Sequence, residues 1–333
     1  MGKYTQKTLI ELLKSGKFRD EISLHKHIET VISNVFIFEK KVYKVYKNDS
    51  DFFNKNFRNL AEKDERFAFT KKDFEWNKTL TPSVYSHITH VAVKDGVIIE
   101  VEKEEAEEIL FVMERVDTQG VLFEKLISGR ITKEDCYAIG KQLGESISKA
   151  QGTPTPQKDF SQLFKDRIKD LRDWMYHVPD HVSKEEVDAY CDYLDSLREK
   201  HADWFSDHLS KEVTADGDFH SHNAVYIDGK FLLMDTYPPK EEWGLGHKHI
   251  AIYRIGVDIW GLTGKKEFFE AFLQGYEKGS GSTINRELDK VFVVYVAGIA
   301  VSYLYMLQKS DITKLNPAKK FHNFLKEYFQ SIE

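Results

Sequence analysis

Apolar and polar positions change period close to Met113. Before it they mostly alternate, the signature of strands with one face buried. A short helix over residues 9–15 precedes a β-branched and aromatic run over 31–38. A charged turn at 39–41 and a second alternating run, 42–47, complete a hairpin. After a loop over 48–55, Leu60, Phe67, Phe74, Trp76 and Leu80 recur at helical spacing, and Thr81-Pro82 ends that helix. Strands follow over 84–93 and 97–101, divided by Asp95-Gly96. The acidic run 102–108 reads as a solvated turn, and 109–113 as a buried strand. Beyond Glu114 the period lengthens. Helices are predicted over 122–126, 133–149, 160–176, 184–209, 266–277, 285–308 and 316–331, interrupted by a loop-and-strand region over 213–235. The pattern predicts an α+β fold of two lobes: residues 1–113, a connector at 114–120, and a helical lobe over 121–333.

Composition narrows the class. The chain has 333 residues, 41% hydrophobic and 31% charged, with a net charge of −6. That balance is ordinary for a globular enzyme and lacks the basic surface that phosphate-backbone binding needs, so nucleic acid is not an expected partner. The two cysteines, Cys136 and Cys191, suggest neither a disulfide framework nor a thiolate zinc site. The polar start of the chain has no signal-peptide core, and a cytoplasmic location is expected. Residues 291–307 carry no charge, but Gly298, Ser302 and three tyrosines interrupt their apolar surface. A buried helix is expected there rather than a membrane span.

The chemistry concentrates in Asp216-Gly217-Asp218-Phe219-His220-Ser221-His222-Asn223 and in the apolar run that ends at Asp235. A carboxylate at Asp218 can take the proton of an attacking hydroxyl. An amide oxygen five residues on, at Asn223, and a second carboxylate at Asp235 can hold Mg²⁺ against the phosphates of ATP. The turn Asp228-Gly229 folds the chain back so that Asp235 rejoins Asn223. A nucleotide is expected in the cleft at the connector. In the alternating run 42–47, Lys44 shares a face with Val42 and is the candidate phosphate-binding lysine, with Lys47 the second choice. Asp73 lies on the apolar face of the following helix with Trp76 and Leu80 and is the candidate partner of Lys44; Glu75 is nearly opposite and reads as solvated. No glycine-rich phosphate loop is present. Phosphate contacts would therefore come from backbone N–H groups around Ile32, Ser33 and Asn34.

These segments, with residues 27–36, 42–44, 77–85, 216–223 and 233–235, resemble the aminoglycoside phosphotransferase-like branch of the protein-kinase-like superfamily. More narrowly, they resemble an uncharacterised bacterial phosphotransferase-related group. The resemblance implies that Asp218 is the catalytic Asp, that Asn223 and Asp235 ligate Mg²⁺, and that Lys44 meets the nucleotide. It also implies that Met113, Glu114 and Val116 line the adenine-contacting connector, and that Asp258 accepts backbone N–H bonds from the catalytic loop. An ordinary N-cap is the other reading of Asp258. The family usually carries His where this chain has Asp216, and an aromatic or other apolar residue often follows the metal Asp where Thr236-Tyr237 stand here.

The expected activity is transfer of the γ-phosphate of ATP to a hydroxyl of a small molecule, such as a sugar, an amino sugar or an aminoglycoside. Tyr237, Glu241, Glu242 and Trp243 are candidates for contacting that acceptor. Two other classes fit parts of the sequence. One is a nucleotide-binding pseudokinase or regulator without turnover, motivated by Asp216. The other is a metal-dependent hydrolase built on the pairs His220-x-His222 and His247-x-His249.

Overall fold

The computed structural model describes residues 5–332 apart from 17, 20, 22, 57, 150–159, 208–212, 216–218, 237–244 and 310. The chain divides into two compact units, Met1–Asp117 and Thr118–Glu333.

The first unit contains α1 (Gln6–Lys14), β1 (Leu24–Glu29), β2 (Ser33–Phe38), β3 (Lys41–Tyr46), α2 (Asp51–Asn56), α3 (Lys63–Leu80), β4 (Tyr85–Lys94), β5 (Val97–Glu100) and β6 (Glu108–Glu114). Its six strands form one antiparallel sheet in the order β1-β2-β3-β6-β4-β5. Alternation sorts the side chains onto two faces. Phe36, Phe38, Tyr43, Val45, Leu110 and Val112 meet Leu9 and Leu13 of α1 on one of them. Lys44, Tyr46 and Phe111 stand on the other, where α3 packs through Phe69 on Tyr46 and Phe74 on Phe111.

Three expectations change here. Residues 31–38 are not one strand: the chain turns at Thr30–Ile32, with Val31 63% exposed, and residues 24–29 form an additional strand paired with 33–38. The expected loop over 48–55 contains α2. Glu108, the last residue of the acidic run, is fully buried rather than solvated. The register of β6 turns its carboxylate inward, where Arg66 binds it through Nε at 3.1 Å and Nη2 at 2.9 Å. Gln6 Nε2 adds a bond at 2.8 Å.

The second unit contains α4 (Leu122–Ile127), α5 (Lys133–Lys149), α6 (Phe160–Tyr176), α7 (Lys184–Lys200), α8 (Ala202–Asp207), β7 (Val213–Ala215), β8 (Ala224–Ile227), β9 (Lys230–Leu233), β10 (Leu245–His247), α9 (Lys248–Thr263), α10 (Lys266–Ser280), α11 (Asp289–Leu307) and α12 (Leu315–Ile332). Its apolar centre is α11, surrounded by α6, α7, α9 and α12. The stretch Arg286–Leu307 is long and apolar enough to cross a membrane, yet 72% of its most apolar window is buried inside the unit. The expected helix 184–209 breaks at His201 into α7 and α8. A Ser183/Glu186 capping box starts α7. The hydrophobic pattern marked no helix over α9, although both readings of Asp258 put a helix start within it.

The helices α5 and α10 touch backbone to backbone. A methyl group on Gly140 would meet the Phe272 carbonyl oxygen at 1.9 Å, and one on Gly275 would meet that of Tyr137 at 2.0 Å. Only hydrogen fits at these crossings. Gln142 of α5 then reaches the β8–β9 hairpin, donating to the Gly229 carbonyl at 2.9 Å and accepting from the Phe231 N–H at 2.9 Å. The hairpin turns through Asp228 and Gly229, both with positive φ (48° and 72°), as a two-residue loop that matches strand twist requires.

Candidate active site

In the second unit, a single tight turn at Ser221–Asn223 precedes β8 and is held from below by α9. The Asp258 carboxylate accepts the Ser221 backbone N–H at 2.7 Å. Asp258 lies well inside α9, so the N-cap reading does not apply. Burial raises its pKa, and the bonds from Ser221 oppose that shift.

The end of β9 returns to this turn. Met234 N–H donates to the Asn223 carbonyl at 2.7 Å, and Asn223 Nδ2 donates to the Asp235 carbonyl at 3.3 Å. Asn223 and Asp235, twelve positions apart, are thereby brought together. Asp235 is exposed and has φ 56°, in the left-handed region that a non-glycine residue enters at a cost. The Asn223 side chain thus lies against the Asp235 backbone, and it carries an amide oxygen. An amide oxygen beside a carboxylate is a hard-oxygen donor set of the kind Mg²⁺ prefers. Asp216 and Asp218, and the acceptor candidates Tyr237, Glu241, Glu242 and Trp243, lie outside the described residues.

The two histidines of the turn are packed into the unit. His222 stacks on Phe123 with ring centroids 3.7 Å apart, and His220 lies against Tyr303 at 5.7 Å. Burial, reinforced by Lys314, lowers the His222 pKa to about 3. Burial, reinforced by Arg254 and then His222, drives that of His220 well below its ordinary value. Phe123, both histidines, Arg254, Asp258 and Tyr303 line a small cavity under the turn. Among the described residues no group of three His, Cys, Asp or Glu side chains could hold a metal, and the side chains of His247 and His249 fall outside those described.

In the first unit, Lys44 is 4% exposed and its Nζ lies 3.9 Å from Oδ2 of Asp73, itself 1% exposed. Glu75 instead faces Lys71 at the surface, and Lys47 pairs with Glu29 at 2.6 Å. The Lys44 ammonium sits 4.6 Å from the Tyr46 ring centroid and 5.4 Å from that of Phe111. Val35 lies directly opposite Lys44, Ile37 opposite Val42 and Val42 opposite Met113, all four half-buried on the Lys44 face. They give that face an apolar floor of the kind a flat base requires.

The tip of the β1–β2 hairpin is satisfied internally. Thr30 Oγ1 accepts the N–H groups of Ser33 at 2.9 Å and Ile32 at 3.3 Å, and Asn34 Oδ1 bonds His27 Nε2 at 2.9 Å. At the far end of β6, the N–H of Glu114 donates to the Val84 carbonyl at 2.8 Å and its carboxylate holds Lys41 at 2.5 Å; Val116 is half-buried. Tyr46, Val35 and Ile37 went unmarked in the sequence. Strict two-residue alternation from Lys44 and across the hairpin is the signal that would have found them.

No protein-family model matches the chain, and no curated protein does. Solved structures do. The GDP and kanamycin complex of APH(2")-IIia is similar over 97% of this chain and 98% of its own, at 13% identity and TM-score 0.52. Choline kinase LicA from Streptococcus pneumoniae covers 97% of this chain and 99% of its own, at 12% identity and TM-score 0.51. Glucosamine kinase in complex with glucosamine, ADP and inorganic phosphate covers 92% and 81%, at 10% identity and TM-score 0.51. The chain has the kinase-like fold of these phosphotransferases. The α+β class and the phosphotransferase-like resemblance read from the sequence lead to this same fold. At these identities the likeness extends to architecture alone.

Proposed function

We propose that the chain is an ATP-dependent phosphotransferase that transfers the γ-phosphate to a hydroxyl of a small molecule, in the cytoplasm. The observation that carries this reading is the convergence of Asn223 and Asp235 on one turn pinned by Asp258. Few structural roles call for a left-handed aspartate exposed beside an amide side chain at a strand end. The molecules bound in the similar structures, kanamycin and glucosamine, together with the likeness to a choline kinase, support a small hydroxylated substrate, with sugars and amino sugars ranked first.

In this reading Asn223 and Asp235 hold Mg²⁺, which when bound neutralises phosphate charge. Lys44, over the apolar floor of Val35, Val42 and Met113, is assigned to nucleotide phosphate. Asp218 orients the acceptor hydroxyl and takes its proton. Catalysis is then mostly positioning and charge placement, with no covalent step on the protein. The test is a metabolite-library screen for nucleoside-diphosphate release, with Asp218→Ala as the blank. Turnover on the true acceptor should fall at least about a hundredfold in Asp218→Ala and in Asp235→Ala. Near wild-type turnover in Asp218→Ala would remove its assigned role.

A second reading, a nucleotide-binding regulator without turnover, is motivated by Asp216 standing where the resembled family usually carries His. Tight MgATP binding without phosphate release to any acceptor would select it.

A further inference from the structure

The buried carboxylate beside Lys44 does not grip the lysine closely. Its Oδ2 accepts the Tyr46 hydroxyl at 2.6 Å, well inside the 3.9 Å that separates it from Nζ. Its Oδ1 accepts Asn77 Nδ2 at 3.1 Å, and the same nitrogen donates to the Asp73 backbone carbonyl at 2.9 Å. Tyr46 stands two positions after Lys44 on β3, so both side chains leave the same face of the sheet. Its ring is 1% exposed, held edge-on by Phe69 at 4.9 Å and Phe111 at 6.0 Å, and it lies under the Lys44 ammonium. One side chain therefore does two things at once. The phenol oxygen fixes the carboxylate, and the ring face supports the cation.

An aspartate is a methylene shorter than a glutamate, and from its place on α3 Asp73 reaches only to the edge of ion-pair distance. A short carboxylate held by a second strand residue can still set the direction of the lysine. We propose that Tyr46 is a positioning residue for Lys44: its hydroxyl, with Asn77, locks the Asp73 carboxylate so that the lysine is presented to nucleotide phosphates in one direction. This inference rests on the phosphotransferase reading and specifies how that site is held.

Tyr46→Phe removes the hydroxyl and keeps the ring. Calorimetric titration of the full chain with MgATP, MgADP and adenosine separates the outcomes, because Lys44 acts on phosphates and not on the base. MgATP and MgADP affinity should fall roughly tenfold, the weight of one charge-assisted hydrogen bond, while adenosine affinity stays at the wild-type value and the melting temperature drops modestly because the buried carboxylate loses a donor. Adding Asp73→Glu to Tyr46→Phe should recover most of the loss, since the longer side chain reaches the lysine unaided. Should Tyr46→Phe fail to fold, Asp73→Asn carries the same comparison, with phosphate-dependent affinity lost and adenosine binding kept. Unchanged MgATP affinity in Tyr46→Phe would overturn the proposal, as would equal weakening of MgATP and adenosine, which marks general damage to the sheet. A wild-type chain that binds no MgATP would instead remove the phosphotransferase reading on which the proposal stands.

Discussion

Among the described residues of the first unit three carboxylates are buried, Glu21, Asp73 and Glu108, and the last two are held in opposite ways. Glu108 is closed: Arg66 approaches it through two nitrogens, Gln6 adds a third donor, and its salt bridge to Arg66 is 2.9 Å long. Asp73 is open. Neutral groups, a phenol and an amide, take its two oxygens, and its cation stands off at 3.9 Å. A closed pair satisfies its charges within the fold and gains nothing further from a ligand. In the open pair the ammonium stands farther from its carboxylate, over the rings of Tyr46 and Phe111. The second unit handles buried charge a third way, by removing it. Among the described residues His222 Nε2 has no hydrogen-bond partner, and the ring is kept neutral against Phe123.

The contrast can be broken most forcefully at Glu108. Glu108→Ala leaves the Arg66 guanidinium buried without its carboxylate and should cost about 3–5 kcal/mol, measured by urea denaturation. A loss below about 1 kcal/mol would mean the closed pair holds nothing together. The histidines come next. The folded pKa of His222 lies near 3, below the roughly 6.5 of an unfolded histidine, so its contribution is complete above about pH 6.5 and is lost as the pH falls toward 3. Stability should drop by about 1.4 kcal/mol per pH unit from this residue once the pH is below about 6. Denaturation at pH 7, 6 and 5 should show a shallower slope in His222→Gln, and equal slopes would contradict the burial of that ring. The smallest expected effect sharpens the open pair itself. Glu75→Gln, two residues from Asp73 but at the surface against Lys71, should change stability by less than about 0.5 kcal/mol and leave MgATP affinity alone. A tenfold loss of affinity there would transfer the lysine's partnership from Asp73 to Glu75.

How much of this was legible depended on whether local pattern and tertiary setting agreed. Helices α5 and α6 begin and end where their periodicity says, because amphipathic spacing and packing select the same residues. Lys44, Asp73, Asn223 and Asp235 could be singled out because residue type, spacing and turn chemistry combined. Glu108 could not, since five of the seven residues over 102–108 are glutamates and only the pairing of β6 with β3 and β4 shows which one turns inward. The helix α9 escaped because it is apolar nearly all round, which removes the one-sided stripe that marks a surface helix. The resemblance did place a helix start at Asp258, ten residues after the observed start at Lys248. The turn at Thr30–Ile32 was hidden by β-branched residues, which favour strands yet here sit at a hairpin tip.

Gln142 gives the glycine contacts of α5 and α10 a reach beyond their own interface. The hairpin that carries Asp235 is fastened to α5 at Gly229 and Phe231, and α5 in turn cannot shift along α10 without driving a carbonyl into a glycine. Change near Asp235 is therefore constrained from two segments far away in the chain. A mutational library over residues 137–144 and 272–279 would look inert on a map of candidate site side chains, yet it would score as a map of how accurately the Asn223–Asp235 corner is aimed.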